Sequence, residues 1–363
     1  MEIISIILSF ILVLTVIVFV HEFGHFWVAR RSGVKIEIFS IGFGRELFGF
    51  NDSQGTRWKF CLIPMGGYIK MFGDKNAASQ TDENKIKKLS QKEKNFAFSC
   101  KSLLTKSAIV VAGPLANYLF SAIVFSSFFL IYGYPNSTPV VTEVIEYSPA
   151  SKAGIYPGDI ITEINNKKIE SFDDIRNIMS LNLGEEVHIR INNQEEYKIV
   201  TPEKKIEKDI LGNEVKSYKL GIMTDTIIME KQNIFSAIKL SIFECYKLSV
   251  ITLKSIGQMI IGERSSKELG GPIKIAQYSA KSAEAGIQSL LWFMALLSVN
   301  LGLVNLFPIP ALDGGHLLIY LVEASFGKKI ASKIQNYGFP IGIILLLMLT
   351  MFVTLNDLNS LFK

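Results

Sequence analysis

The stretch Ile3-Ile4-Ser5-Ile6-Ile7-Leu8-Ser9-Phe10-Ile11-Leu12-Val13-Leu14-Thr15-Val16-Ile17-Val18-Phe19-Val20-His21-Glu22-Phe23-Gly24-His25 decides the fold. Its apolar run from Ile3 to Val20 carries no charge, and a helix needs ~20 such residues to cross a bilayer. A membrane-spanning helix is expected from Ile3 to about Ala29. A cleaved signal peptide is the competing expectation. Against it, Met1-Glu2-Ile3-Ile4 has no basic leader, and His21-Glu22 stands where small residues would mark a cleavage site. At the end of the run, His21 and His25 are four apart and so share one helix face, with Glu22 projecting beside them. This is the H-E-x-x-H pattern, in which two imidazoles hold one zinc ion and the glutamate takes a proton from water. Two helix-end histidines at a lipid headgroup boundary would give the same short pattern. Two histidines and a glutamate closing a spanning helix nonetheless need a partner or a task.

The whole chain agrees with a mixed membrane and aqueous protein: 363 residues, 49% hydrophobic and 20% charged, with a mean hydropathy of +0.31. Cys61, Cys100 and Cys245 are scattered, so they make neither a disulfide framework nor a Cys-x-x-Cys metal pair. The formal charge is +5, and the lysines cluster in loops beside apolar spans. Orientation in the membrane accounts for them, and no nucleic-acid partner is expected. Arg30, Arg31 and Lys35 follow the first span, which by the positive-inside rule sets that end, and the histidine motif, near the cytoplasmic leaflet.

Outward from this helix, residues 34 to about 104 read as short strands and turns. Lys35-Ile36-Glu37-Ile38 and Trp58-Lys59-Phe60 alternate, and Ile41-Gly42-Phe43-Gly44 and Pro64-Met65-Gly66-Gly67-Tyr68 are glycine-rich patches able to line a cleft or simply to turn. Residues 74–101 read as an exposed lysine-rich loop. A second span is expected from Ser107 to Tyr134, opening on Ala112-Gly113-Pro114, whose small residues allow close helix packing. Asn117 follows as a polar group that a neighbouring helix must receive, and packing is the expected role.

From Asn136 to about Asp225 the composition is that of a soluble domain. Strands are expected at Val140–Ile145, Val187–Ile191 and Glu196–Val200, a tight turn at Asn165-Asn166-Lys167, and a helix over Ser171–Ser180 capped by Ser171. Together with Gly154-Ile155-Tyr156-Pro157-Gly158-Asp159-Ile160-Ile161, this resembles a PDZ domain, a module that binds extended peptides along a sheet edge. Leu220-Gly221-Ile222 would then belong to its carboxylate-binding loop. Residues 233–261 have the spacing of an amphipathic surface helix, and Leu269-Gly270-Gly271-Pro272-Ile273 breaks the chain. His188 reads as a surface residue of a PDZ strand.

A third span over Gln288–Phe307 runs into Asn305-Leu306-Phe307-Pro308-Ile309-Pro310-Ala311-Leu312-Asp313-Gly314-Gly315-His316. Two prolines interrupt regular helix and leave backbone groups unpaired at membrane depth, tolerable only against protein or a watery cavity. Asp313 beside that break needs a partner, and the zinc expected at His21 and His25 needs a third ligand. His316 is the alternative donor. Counting spans, both motifs fall at the cytoplasmic level. A fourth span over Tyr337–Leu355, after Lys328, Lys329 and Lys333, returns the chain outside.

Taken together, His21-Glu22-Phe23-Gly24-His25, Pro64-Met65-Gly66-Gly67-Tyr68, Ala112-Gly113-Pro114 with Asn117, the PDZ-like insert and the Asn305–Gly315 stretch resemble the site-2 protease family, and within it the bacterial regulator-of-sigma-E protease branch. The resemblance covers essentially the whole chain. It implies an α-helical polytopic membrane protein of about four transmembrane helices, with a membrane-associated β-hairpin region and one inserted α+β PDZ domain. The expected divisions are 1–134, 135–225 and 226–363. It implies one Zn2+ per chain on His21, His25 and Asp313, with Glu22 as catalytic base. It also implies substrate handling by Asn300, Asn305, Pro308 and Pro310 and substrate presentation by a hairpin containing Gly66 and Gly67. The activity implied is regulated intramembrane proteolysis of single-pass membrane proteins, such as anti-sigma factors or remnant signal peptides, in the bacterial inner membrane. Peptide C-termini or substrate ectodomains would meet an extracytoplasmic PDZ domain. One departure stands out: familiar bacterial members carry two PDZ domains in tandem, and residues 136–225 accommodate one. A membrane-anchored PDZ scaffold and a zinc transporter are the alternatives from other classes.

Overall fold

The computed structural model describes residues 3–74, 86, 88–192, 194, 196–208, 211, 214–225 and 227–361. Of the lysine-rich loop expected over 74–101, residues 75–85 and 87 lie outside the described residues. In chain order the longer helices are α1 (Ile3–Arg31), α2 (Leu103–Ile131), α3 (Phe172–Leu181), α4 (Ile234–Ile260), α5 (Pro272–Glu284), α6 (Ile287–Asn305), α7 (Asp313–Phe326) and α8 (Lys328–Leu361). The chain divides into two compact units, Met1–Val124 with Gly270–Lys363, and Phe125–Leu269.

Four helices are long and apolar enough to cross a membrane: α1, α2, α6 and residues Lys328–Ser360 of α8. Large apolar side chains such as Ile3, Leu8, Leu119, Ile341 and Leu347 are exposed along them, an arrangement that suits hydrocarbon and not water. The fourth helix begins nine residues before its expected start, at Lys328, so Lys328, Lys329 and Lys333 form its first turns instead of a loop. Polar residues at the end of a long helix fall outside the hydropathy pattern that located it.

In the first unit, α1 packs on a sheet made from two long strands, β1 (Ile36–Asn51) and β2 (Arg57–Met71), which pair antiparallel. Both strands bend. Phe39 stands opposite Trp58 on one side and Ile69 on the other, while Phe50 also faces Trp58. Across the sheet the order is therefore 46–51, 57–61, 36–41, 67–71, which leaves 67–71 an outer segment among the described residues. Aromatic contacts bind the sheet to α1: the ring centroid of Phe26 is 5.3 Å from that of Phe39 and 5.1 Å from that of Trp58.

The break expected at Leu269–Ile273 is a helix start. Gly271 caps α5 and Pro272 occupies its first position, where the missing N–H of proline costs nothing. Asp357 of α8, fully buried, accepts the backbone N–H groups of Gly271, Ile273 and Lys274 at 3.0, 3.1 and 3.1 Å. The face that α5 buries is Ser279, Ala280 and Ser282, too small to show as apolar periodicity.

In the second unit, β5 (Ile161–Ile164), β6 (Lys167–Lys168), β7 (Val187–Ile191) and β8 (Tyr197–Val200) form one sheet in the order β6-β5-β7-β8, following β3 (Tyr134–Ser137) and β4 (Glu143–Val144) in the chain. The Asn165-Asn166 turn joins β5 and β6 with φ of 49° and 61°, left-handed values that asparagine tolerates well. Ser171 and Asp174 form a capping box at the start of α3, as the serine suggested. The core is aliphatic: Val141, Ile155, Ile161, Ile164, Val187 and Ile189 are essentially inaccessible. The strand expected over Val140–Ile145 is shorter, a Val140–Ile160 bridge followed by β4. Strands β9 (Glu203–Lys208) and β10 (Glu214–Lys219) form a separate hairpin, β11 (Ile222–Met223) pairs with β4, and β12 (Ile227–Glu230) pairs with β3. Residues 234–260 form the surface-patterned helix α4, capped by Asn233.

Candidate metal centre

The last three turns of α1 bring His21 and His25 onto one face, and the start of α7 brings Asp313 to meet them. Asp313 Oδ2 lies 3.1 Å from His21 Nε2 and 3.4 Å from His25 Nε2, and the two Nε2 atoms are 3.2 Å apart. Among the described residues this is the one cluster of three or more such donors close enough to share a metal ion.

The three separations test whether zinc fits. Zinc bonds of ~2.0–2.2 Å in a tetrahedron put neighbouring donor atoms about 3.3–3.6 Å apart. One of the three observed edges falls inside that range and the other two fall just short of it, as donors drawn together around a common point. Asp313 Oδ2 is also buried with no hydrogen-bond partner, although a carboxylate oxygen out of water needs one. A cation at the centre of the triangle satisfies it. The donor set, two imidazoles and one carboxylate, is one that catalytic zinc sites use.

Local structure aims each donor. The Nδ1–H of His25 donates to the carbonyl of Ile109 on α2 at 2.8 Å, which leaves Nε2 with its lone pair for the cluster. Helices α1 and α2 approach closely because Gly24 and Gly113 lack side chains: a Cβ on Gly24 would lie 2.3 Å from the carbonyl oxygen of Ala112, and one on Gly113 would lie 2.2 Å from His25 Nε2. Asp313 is the first residue of α7, where the helix dipole favours an anion. The proline-containing turn before it includes Ala311 at φ 80°, a conformation an L-residue adopts at a cost of about 1–2 kcal/mol. Gly315 fits against that turn because a Cβ there would meet the carbonyl oxygen of Ile309 at 2.3 Å.

The cluster opens into a cavity of about 310 Å³ lined by Glu22, Gly66, Gly67, Tyr68, Asn305 and His316, among others. Glu22 stands against the outer sheet segment: a Cβ on Gly67 would lie 3.0 Å from Glu22 Cγ. Of the residues singled out from sequence, His21, Glu22, His25, Gly66, Gly67, Asn305 and Asp313 line this one cavity. Asn300, Pro308 and Pro310 do not line it, and His316 lines it without joining the three-atom cluster. Pattern reading did not supply the Ile109 carbonyl, Tyr320 or Phe339. Ile109 acts through its backbone, which leaves no residue-type signal. Tyr320 and Phe339 read as ordinary apolar residues of helices.

The profile of peptidase family M50 matches residues 9–349. A protein of Rhizobium meliloti named as a zinc metalloprotease is 41% identical over 361 residues, covering 98% of this chain and 96% of its own. One of Rickettsia conorii, similarly named, is 39% identical and covers 98% and 99%. Metalloprotease MmpA of Caulobacter vibrioides is 33% identical and covers 97% and 94%.

Proposed function

This chain belongs to peptidase family M50, and from that premise we propose that it is an intramembrane zinc endopeptidase of the regulator-of-sigma-E branch. Its substrates are single-pass membrane proteins, anti-sigma factors or remnant signal peptides, cut within their transmembrane segments in regulated intramembrane proteolysis. The observation that carries this reading is a triangle of His21, His25 and Asp313 donor atoms at zinc-ligand spacing, with Glu22 in the same cavity.

A peptide bond inside a transmembrane helix is closed off by the helix's own hydrogen bonds, so the substrate must unwind locally before it is cut. The unwound segment aligns as a strand along the outer sheet segment 67–71, which the missing side chain of Gly67 brings close against Glu22. Asn305, at the end of α6, receives backbone groups freed by unwinding. His21, His25 and Asp313 would hold one zinc ion, which would supply Lewis-acid polarisation of the scissile carbonyl and activation of water. Glu22 takes the proton from the attacking water and delivers it to the leaving amine. The first test is cleavage of a tagged single-pass substrate in membranes. Glu22→Gln is expected to retain zinc and lose about 10²–10⁴-fold in rate; undiminished cleavage would remove Glu22 from the mechanism.

Arg30 and Arg31 in the last turn of α1, Lys35 after it, and the lysines that open α8 support a cytoplasmic position for the centre and an outward N-terminus in the bacterial inner membrane. Cys100 is exposed whereas Cys61 and Cys245 are buried. A membrane-impermeant maleimide should label Cys100 in inverted vesicles and spare it in right-side-out cells; the reverse pattern overturns the topology. The second unit is read as an extracytoplasmic PDZ domain. A cavity of about 690 Å³ lies beside α3 and residues 220–223, with Phe172, Ile175 and Met179 in its lining, and it would take a peptide C-terminus or part of a substrate ectodomain. Met223→Asp, at an exposed lining position, should weaken peptide capture and leave zinc binding intact, and unchanged capture would argue against the groove.

A further inference from the structure

Both histidines of the centre turn their second nitrogen towards α2, and they meet different groups there. His25 meets the Ile109 carbonyl; His21 Nδ1 lies 3.2 Å from the side-chain amide of Asn117. Asn117 is wholly buried, and its Oδ1 has no hydrogen-bond partner. An amide in apolar surroundings with one contact and one orphaned oxygen is costly to keep. Its backbone is also held in place: the hydroxyls of Ser121 and Ser298, both fully buried, donate to the Asn117 carbonyl at 3.0 and 3.1 Å.

The chemistry of the centre gives that amide a task. With Nε2 of His21 committed to the cation, a neutral imidazole must carry its proton on Nδ1, and the buried Nδ1–H needs an acceptor. A side-chain amide presents either oxygen or nitrogen at one position by a half-turn about its last torsion. With Oδ1 towards His21, the orphaned oxygen and the Nδ1 proton satisfy each other. We propose that Asn117 is the positioning residue of His21, accepting its Nδ1 proton through Oδ1 and so setting the tautomer and ring orientation that direct Nε2 to zinc. The inference rests on the zinc-centre reading above and assigns Asn117 a role beyond packing.

The test is zinc affinity of the purified full-length protein in detergent, measured by competition with a chromophoric chelator. Asn117→Leu, of similar size and without an acceptor, is expected to bind zinc about 10–100-fold more weakly. Asn117→Asp, which can only accept, is expected to restore affinity to at least the wild-type level. A role in packing alone predicts no such rescue by a buried charge. If Asn117→Leu does not fold, Asn117→Ala replaces it, with the same 10–100-fold loss expected. Wild-type affinity in the acceptor-free variant, or an Asn117→Asp protein as weak as that variant, overturns the proposal. His21→Ala separates the two readings. If it abolishes binding while Asn117→Leu does not, only the role of Asn117 falls. If His21→Ala binds like wild type, the metal centre falls with it.

Discussion

The two units bury different polar groups: among the described residues, 125–269 bury only serines (Ser137, Ser148, Ser241 and Ser249), whereas the membrane-helix unit also buries amide and ionisable side chains. The core of residues 125–269 is built from side chains such as Ile161, Ile164 and Ile189, and its ion pairs, Lys168 with Glu170 and Arg190 with Glu163, sit at or near the surface. In the membrane-helix unit the buried set includes His21, Asn117, Ser121, Ser298 and Asp357. A sheet domain in water gains stability by excluding polar groups from its core. Helices in hydrocarbon gain little from apolar contact with one another, so buried polar groups there either pin helices together or serve chemistry. Ser121, Ser298 and Asp357 pin helices, and His21 with Asp313 forms the centre.

Perturbing each unit separately should keep these economies apart. The largest effect is expected from Ile189→Ala, which opens a cavity in the second unit's core. Its thermal melting in detergent should report a loss of about 2–5 kcal/mol, with zinc affinity unchanged; loss of zinc would mean the units are not independent. Next comes Gly113→Ala in the first unit. Its Cβ would meet His25 Nε2 at 2.2 Å, and His25 is already tied to Ile109 and Asp313. On the proposed mechanism, displacing His25 on this scale should cost about 10²-fold in cleavage rate with little change in the second unit's melting. Wild-type cleavage would show that α1 and α2 can move apart.

The smallest effect concerns Asp52, outside the spans. Burial works to raise its pKa, but hydrogen bonds from Arg30, Trp58 and the N–H groups of Thr56 and Gln54 outweigh it and bring the value from an ordinary 3.8 down to about 2. A depressed carboxyl stabilises the fold above its unfolded pKa and loses that contribution as protons return. Stability should therefore fall between about pH 4 and pH 2, by roughly 1 kcal/mol or less for so accessible a pair. Asp52→Asn should flatten that part of the melting profile; an unchanged slope would assign it to other carboxylates.

Much of the fold was legible because its signals are local. Four apolar runs locate four helices, H-E-x-x-H places two donors on one face through helical spacing, Ser171 marks the start of α3, and Asn165-Asn166 marks a turn. Residues 272–284 were not legible: Pro272 reads as a break until it is seen in the first position of a helix, and Asp357, which caps that helix, lies far along the chain. Asn117 was visible as a polar residue needing a receiver, with nothing nearby in sequence to identify His21.

Helices, turns and the histidine pair follow from interactions within a few residues, which order along the chain already contains. The meeting of Asp313, and not His316, with the histidine pair, the approach of Gly67 to Glu22 and the contact of Asn117 with His21 depend on distances between residues remote in sequence. Those distances exist only once glycines at Gly24, Gly113 and Gly315 let backbones pack closely, and close packing is a property of the assembled fold.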